Sequence, residues 1–183
     1  VLTEMPKKLE YCQEQLKTLH RQVETAKEQV DQSLADKKMV FISPTKGKLD
    51  FDQVFYDILG YINTDVKSNY KLIVGTDSQL REEICFVTAI IILREGKGGR
   101  FYYYKEREHT KLGLRQRIFY ETSKSLTIAA KLADKFTSEG LSDLNIEIHL
   151  DVGEQGKTKD IIKEVVGMVT GSGFDARIKP ESY

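Results

Sequence analysis

Two different spacings of apolar residues divide the chain, and the change from one to the other falls near Met39. Over residues 1–38 apolar positions recur every seven residues without an intervening glycine. This repeat predicts a long amphipathic helix of coiled-coil type over residues 1–40. Its apolar stripe combines two series, Leu2, Leu9, Leu16, Val23 and Val30 with Met5, Cys12, Leu19, Ala26 and Ser33.

A lone helix of this type cannot bury its own apolar stripe. We therefore predict that residues 2–33 pair with a second copy of the chain, giving a homodimer, or with a helix of another partner. Packing against the domain that follows is a third possibility. The sequence leaves open whether this helix is native to the protein or was fused to it.

From residue 41 onward, short apolar runs alternate with stretches of helical spacing. The runs predict five strands, at residues 71–76, 84–93, 100–105, 145–150 and 174–179. The helical spacing predicts three helices: one that Asp50 caps and that ends near Ile62, one over 114–137, and one over 158–170. After the first of these helices, the resulting order is β-β-β-α-β-α-β.

This order predicts an α/β fold for residues 41–183. The first three strands are joined by short connections and form an antiparallel meander. Each of the last two strands follows a crossover helix, so each lies parallel to a neighbour in a mixed sheet. Functional sites in such sheets form beyond the carboxyl ends of the strands.

Two aspartates stand where predicted strands end. Asp77 follows the first strand, and Asp151 follows the fourth strand. If those strands pair in parallel, the two carboxylates come together. Glu121 borders the buried face of the long helix over the sheet and can supply a third carboxylate. The local alternative is that Asp77 simply ends its strand in a turn with the next two residues.

Three carboxylates at one place repel each other, and without a cation at least one has a raised pKa. A divalent cation relieves this repulsion. A site of Asp and Glu oxygens suits Mg²⁺ or Mn²⁺ better than zinc. The sequence therefore makes Asp77, Glu121 and Asp151 candidate metal ligands.

Composition removes several other classes of function. The 28 basic side chains of the 183-residue chain balance its 28 acidic ones, so any binding of polyanions depends on a local patch. No apolar run is long enough to span a bilayer or act as a secretion signal. The two cysteines lie in unrelated contexts, which favours a reducing, cytoplasmic location.

A basic stretch between the third strand and the long helix is the first candidate for contacts with nucleic-acid phosphates. It contains Lys105, Arg107, Lys111 and Arg115. Acidic residues interrupt it, and a solvated loop explains it about as well.

The segment 151–158 is a near miss to a phosphate-binding P-loop, and it adds Lys157 to the substrate-binding candidates. The motif needs glycine where Asp151 stands, which makes nucleotide hydrolysis a weak alternative. Even so, backbone amides at the start of the following helix could hold a substrate phosphate.

Four segments together resemble the bacterial YkuK family of uncharacterised ribonuclease-H-like proteins. They are Val-Gly-Thr-Asp-Ser-Gln at 74–79, Leu-Arg-Gln-Arg-Ile-Phe-Tyr-Glu at 114–121, His-Leu-Asp-Val-Gly at 149–153 and Ile-Lys-Pro-Glu-Ser-Tyr at 178–183. The resemblance covers residues 41–183 and excludes the N-terminal helix. It implies a ribonuclease H-like fold.

The resemblance also implies phosphodiester hydrolysis by two metal ions, with Asp77, Glu121 and Asp151 as ligands. In that fold a final helix supplies a further acidic ligand, and this helix is expected to be absent before Tyr183. The rival expectation is a nucleic-acid- or protein-binding scaffold that keeps the fold without turnover.

Overall fold

The computed structural model describes residues 14, 15, 17, 18, 21, 24, 25, 39–109, 111–153 and 161–182. The chain divides into two compact units, residues 1–39 and residues 40–183. None of the helices in these described ranges is long and apolar enough to cross a membrane.

In the first unit, the described residues before Met39 are helical and exposed, and Met39 itself is non-helical and half-buried. None of them belongs to the predicted apolar stripe. Two threonines, Thr18 and Thr25, donate hydrogen bonds to the backbone carbonyls four residues earlier, which is a regular helical contact. The stripe itself and the proposed pairing through residues 2–33 lie outside the described residues, so the coiled coil stays a prediction.

The described residues of the second unit form a seven-stranded mixed sheet with three helices. The helices are α1 (Phe51–Asn63), α2 (Leu114–Ser138) and α3 (Ile162–Gly171). The strands are β1 (Phe41–Ser43), β2 (Gly47–Leu49), β3 (Tyr70–Leu80), β4 (Ile84–Arg94), β5 (Gly98–Glu108), β6 (Asn145–Gly153) and β7 (Asp175–Lys179). Their order across the sheet is β2-β1-β5-β4-β3-β6-β7.

Helix α1 begins directly after its N-terminal cap, Asp50. The Asp50 carboxylate accepts a hydrogen bond from the Gln53 amide, and the Gln53 side chain accepts one from the Asp50 amide. This reciprocal arrangement satisfies two amides that the helix cannot pair internally. The predicted cap is therefore confirmed.

Strand pairing follows the predicted topology. Strands β3, β4 and β5 form an antiparallel meander, and β6 pairs parallel to β3 and to β7. The two crossovers step in the same direction across the sheet, so right-handed connections place α2 and α3 on the same face. The Arg115–Glu164 ion pair joins these two helices. Helix α1 packs beside α2 through Phe55 and Phe136, whose ring centroids are 4.9 Å apart.

Alternation along the strands defines two unlike sheet faces. One face packs under α1, α2 and α3 and contributes much of the core, including Leu72, Val74, Phe86, Ile90, Tyr102 and Ile148. The other face carries the odd-numbered residues of β3, β4 and β5. We call it the helix-free face, since all three helices of residues 40–183 that the structure describes pack on the opposite side.

The predicted α/β fold class is confirmed, but several boundaries were wrong. A short hairpin, β1–β2, adds two strands at the edge of the sheet. Strand β3 continues past Asp77 to Leu80, and β6 continues past Asp151 to Gly153, so neither aspartate ends its strand. Continued pairing with a neighbouring strand explains the extension of β3, because its ladder to β4 runs to the Leu80–Ile84 pair.

Candidate functional site

The two candidate aspartates lie on adjacent parallel strands, at the same level of the sheet. The β3–β6 ladder ends with Gly75 opposite His149, and each aspartate lies two residues beyond that pair. Past His149 the register of β6 against β7 shifts, which is the signature of a β-bulge. The bulge falls between His149 and Gly153, a stretch that includes Asp151.

Asp77 faces away from the helices, and Asp151 faces solvent. Thr76 bonds to Ser125 of α2 and Ser78 bonds to Arg117 of α2, so Asp77 between them points to the helix-free face. Asp151 is exposed between two buried neighbours, Leu150 and Val152. The two strands thus pair in parallel, which is the condition under which the sequence brings the two aspartates together.

Glu121 reaches the same place from the helix side. The sequence placed it at the border of the buried face of α2, but it is buried, at 8% exposure. The reason is that the buried stripe of α2 includes Ser125 and Ile128, while Leu126 and Ala133 are only half-buried. This position of the stripe carries Glu121 inward, over the part of β3 that holds Ser78.

The electrostatics tie Glu121 to both aspartates. Burial, together with the negative charges of Asp77 and Asp151, raises the pKa of Glu121 to about 7. A hydrogen bond from the Ser78 hydroxyl and the charge of Arg117 only partly oppose this rise. The three carboxylates therefore act on one another electrostatically, although strand alternation turns Asp77 away from Glu121.

A lysine neutralises one of the aspartates. The Lys179 ammonium, at the end of β7, forms a close ion pair with the Asp151 carboxylate. This contact raises the pKa of Lys179, and the charge of Asp77 adds to the effect. Sequence reasoning assigned Lys179 no role. The signal available was its position at the end of the strand that neighbours Asp151.

In their present positions, the side chains of Asp77, Glu121 and Asp151 do not form a metal-binding site. Within the part of the chain that the structure describes, no group of three or more His, Cys, Asp or Glu side chains could hold a metal ion. The alternation of β3 explains this result, because it turns Asp77 away from Glu121.

The predicted phosphate-binding residues lie in different surroundings. Lys105 and Arg107 are on β5 rather than in a loop, and their side chains are on the helix-free face. Arg115 is held on the helix side by Glu164, with nitrogen–oxygen distances of 2.6 and 2.8 Å. Lys111 is exposed. Lys157 and most of the P-loop-like segment lie outside the described residues.

A second charged cluster, which sequence reasoning missed, lies on the helix-free face near the start of β6. The Glu147 carboxylate is 2% exposed and contacts Lys71, Arg177 and His149 at 3.1, 3.2 and 3.3 Å. Burial alone would raise the pKa of Glu147, but hydrogen bonds from these three partners outweigh burial and lower it. Burial lowers the pKa of His149, and Glu147 partly offsets this.

Comparison with known proteins places this geometry in a family. A family model described as Ribonuclease H-like matches residues 53–183. The chain belongs to the ribonuclease H-like family. It is also 36% identical over 160 residues to the uncharacterized protein YkuK of Bacillus subtilis (strain 168), an alignment that covers 79% of this chain and 91% of that relative. The resemblance noted from the sequence motifs is confirmed, and this ribonuclease H-like protein is similar to a relative whose name states no activity.

Proposed function

We propose that this protein is a nuclease that hydrolyses phosphodiester bonds with Mg²⁺ or Mn²⁺. The observation that carries the proposal is the placement of Asp77 and Asp151 at the same level of two adjacent parallel strands, toward their carboxyl ends. Sites in mixed sheets form at this position. The ribonuclease H-like family supports nucleic acid as the substrate class.

The chemistry of the donor set fits such a metal. Asp77, Glu121 and Asp151 offer only carboxylate oxygens, the ligands that Mg²⁺ and Mn²⁺ prefer. The raised pKa of Glu121 is relieved when a cation joins the group. To hold one ion together, the side chains must turn and Lys179 must release Asp151. When bound, a divalent ion would activate water and stabilise charge on the leaving oxygen.

The chain's own cations are suited to holding the substrate. Lys105 and Arg107 lie on the same sheet face as Asp77 and form no ion pair with another residue of the described ranges. Phosphate contacts of this type position a nucleic acid without reading its sequence. Lys111 stays a candidate, whereas Arg115 is already paired with Glu164.

A specific observation favours a second candidate, a binding module without turnover. Lys179 already neutralises Asp151, and the described residues present no assembled metal group. A protein that keeps the fold but uses a lysine in place of a cation would bind nucleic acid without cleaving it.

Cleavage assays separate the two candidates. End-labelled single-stranded RNA, single-stranded DNA and an RNA–DNA hybrid are incubated with Mn²⁺ or Mg²⁺, and products are resolved on gels. We expect metal-dependent cleavage that EDTA abolishes and that Asp77→Asn reduces at least about a hundredfold, since the transition-state charge then loses a ligand of its cation. The exposed-site variant Glu139→Gln serves as the matched control. Binding of these substrates without cleavage under any condition would favour the module.

A further inference from the structure

The helix-free face of the sheet carries a surface suited to unpaired bases. Along β5 every second side chain lies on this face: Phe101, Tyr103, Lys105 and Arg107. Phe101 is 47% exposed, and Tyr103 is partly exposed. The same strand turns its other tyrosines, Tyr102 and Tyr104, into the core. Two aromatic rings followed by two cations thus form one row, which we call the β5 row.

The pairing register of β3, β4 and β5 places the β5 row beside Asp77 of the candidate site. Asp77 pairs with Val87 on β4, and Val87 pairs with Lys105 on β5. Strands in a sheet lie about 4.8 Å apart, so Lys105 is about 10 Å from Asp77 across the same face. A single bound chain of a few nucleotides can span that distance.

The residues between β3 and the Tyr103 ring on this face are small. Gly75 pairs with Ala89, and Ala89 pairs with Tyr103. Neither small residue carries a side chain long enough to cover the Tyr103 ring. The Lys105 ammonium is 5.6 Å from the centroid of that ring, and a base that stacks there displaces it toward the phosphates.

Charge at the end of the row suits a phosphate backbone. A cleft of about 890 Å³ lies there, and its lining includes Arg81, Lys105 and Arg107. Two carboxylates, Glu82 and Glu83, line the same cleft, so the cations outnumber them. The Oε1 atom of Glu83 is 3.0 Å from Nδ1 of His109.

We propose that single-stranded nucleic acid binds along the β5 row, with bases stacked on Tyr103 and Phe101 and phosphates on Lys105 and Arg107. This inference rests on the proposed nuclease function and names its substrate class. Base faces are available to aromatic side chains only where the strand is unpaired, and aromatic residues on a sheet surface stack successive bases of single strands. Cations along the row then hold the backbone.

Binding in EDTA tests the proposal separately from hydrolysis. Fluorescence anisotropy follows a fluorescein-labelled 12-nucleotide single strand, and the same sequence as a duplex, at low salt. We expect the double variant Phe101→Ala/Tyr103→Ala to lose at least tenfold in affinity for the single strand, and Lys105→Glu to lose a similar factor. Tyr56→Ala, an exposed aromatic on α1, and Lys67→Glu, in the turn before β3, are the matched controls and should bind as the parent chain does.

Thermal unfolding of each variant checks that it is folded, and the single variants Phe101→Ala and Lys105→Glu carry the test if the double variant does not fold. Tighter binding of the duplex, or equal binding by the aromatic variants and their controls, would overturn the proposal. If binding fails while metal-dependent cleavage persists, the β5 row is wrong and the nuclease proposal stands. If the single strand binds as expected and cleavage is never seen, the β5-row proposal stands and the nuclease proposal is wrong.

Discussion

Two buried glutamates of this protein have opposite electrostatic surroundings. Glu147 is 2% exposed and has three nitrogen partners, and its pKa is lowered. Glu121 is 8% exposed and lies near two other carboxylates, and its pKa is raised to about 7. Burial raises the pKa of both carboxylates, but at Glu147 the hydrogen bonds from three partners outweigh it, whereas at Glu121 the two neighbouring carboxylates add to it.

The difference in their neighbours suggests a structural role for Glu147 and a functional role for Glu121. A buried carboxylate with enough donors holds elements together, and here Glu147 joins β3, β6 and β7 through Lys71 and Arg177. A buried carboxylate close to like charges costs free energy in the folded chain unless a cation or substrate joins it. Glu121 is of the second kind, which is why it belongs to the proposed site.

The largest effect is expected at the partnered glutamate. Glu147→Gln leaves two cations without their buried acceptor, and we expect it to lower the free energy of unfolding by about 2 to 4 kcal/mol at pH 7. The pKa of Glu147 is lowered on folding, so its contribution is present above pH 4.5 and is lost as pH falls through the lowered value. The loss should therefore shrink in acid.

Urea denaturation of Glu147→Gln across pH 3 to 8 measures this effect. The matched control is Glu95→Gln, an exposed acid in the turn between β4 and β5 that has no ion pair in the described ranges. Equal stability of the two variants would mean that the Glu147 cluster contributes no net stability.

Glu121→Gln should act in the opposite direction. The pKa of Glu121 is raised from 4.5 to about 7, so the folded chain binds more protons than the unfolded chain between these values. The free energy of unfolding of the parent chain therefore falls as pH rises through this window. At pH 8 we expect the variant to be more stable by about 1 to 3 kcal/mol, and below pH 4.5 the gain should vanish.

The test of Glu121→Gln is chemical denaturation in EDTA at several pH values, with Glu139→Gln as the exposed control near the end of the same helix. A stabilisation that does not change with pH would show that packing, rather than the charge of Glu121, is responsible.

The arrangement of the candidate site could be predicted from the sequence only in part. The crossover helix predicted that β6 lies parallel to a neighbour, and the sequence brought Asp77 and Asp151 together only on the condition that this neighbour is β3, which the structure meets. The inward rotation of Glu121 did not follow, because the spacing of α2 allows two neighbouring stripes, and contacts such as Ser125 with Thr76 select between them. The direction of Asp77 depends on strand alternation relative to a helix, which sequence alone does not give.

The same limits explain the other differences. The polar ends of β3 and β6 lack the apolar alternation that marks a strand, so their extension past Asp77 and Asp151 was missed. The Glu147 cluster joins residues from three strands that are far apart in sequence. The Ile-Glu-Ile-His-Leu run was its visible signal, since it places Glu147 and His149 on one face of β6.

A smaller effect is expected at the cation that occupies Asp151. Lys179→Met removes an ammonium that competes with a divalent ion for this carboxylate. We expect affinity for Mn²⁺ to rise by roughly three- to tenfold at low salt, with little change in melting temperature because the ion pair is exposed. Lys67→Met is the control, and an unchanged affinity in Lys179→Met would mean that the lysine does not compete with metal.

Calorimetric titration of Mn²⁺ into the parent chain and into Asp77→Asn tests the central claim most directly. The account predicts measurable binding to the parent chain and its loss in the variant, while the variant keeps its fold and its melting temperature in EDTA. Equal binding by both chains, or no binding by either, would contradict a metal site built on Asp77.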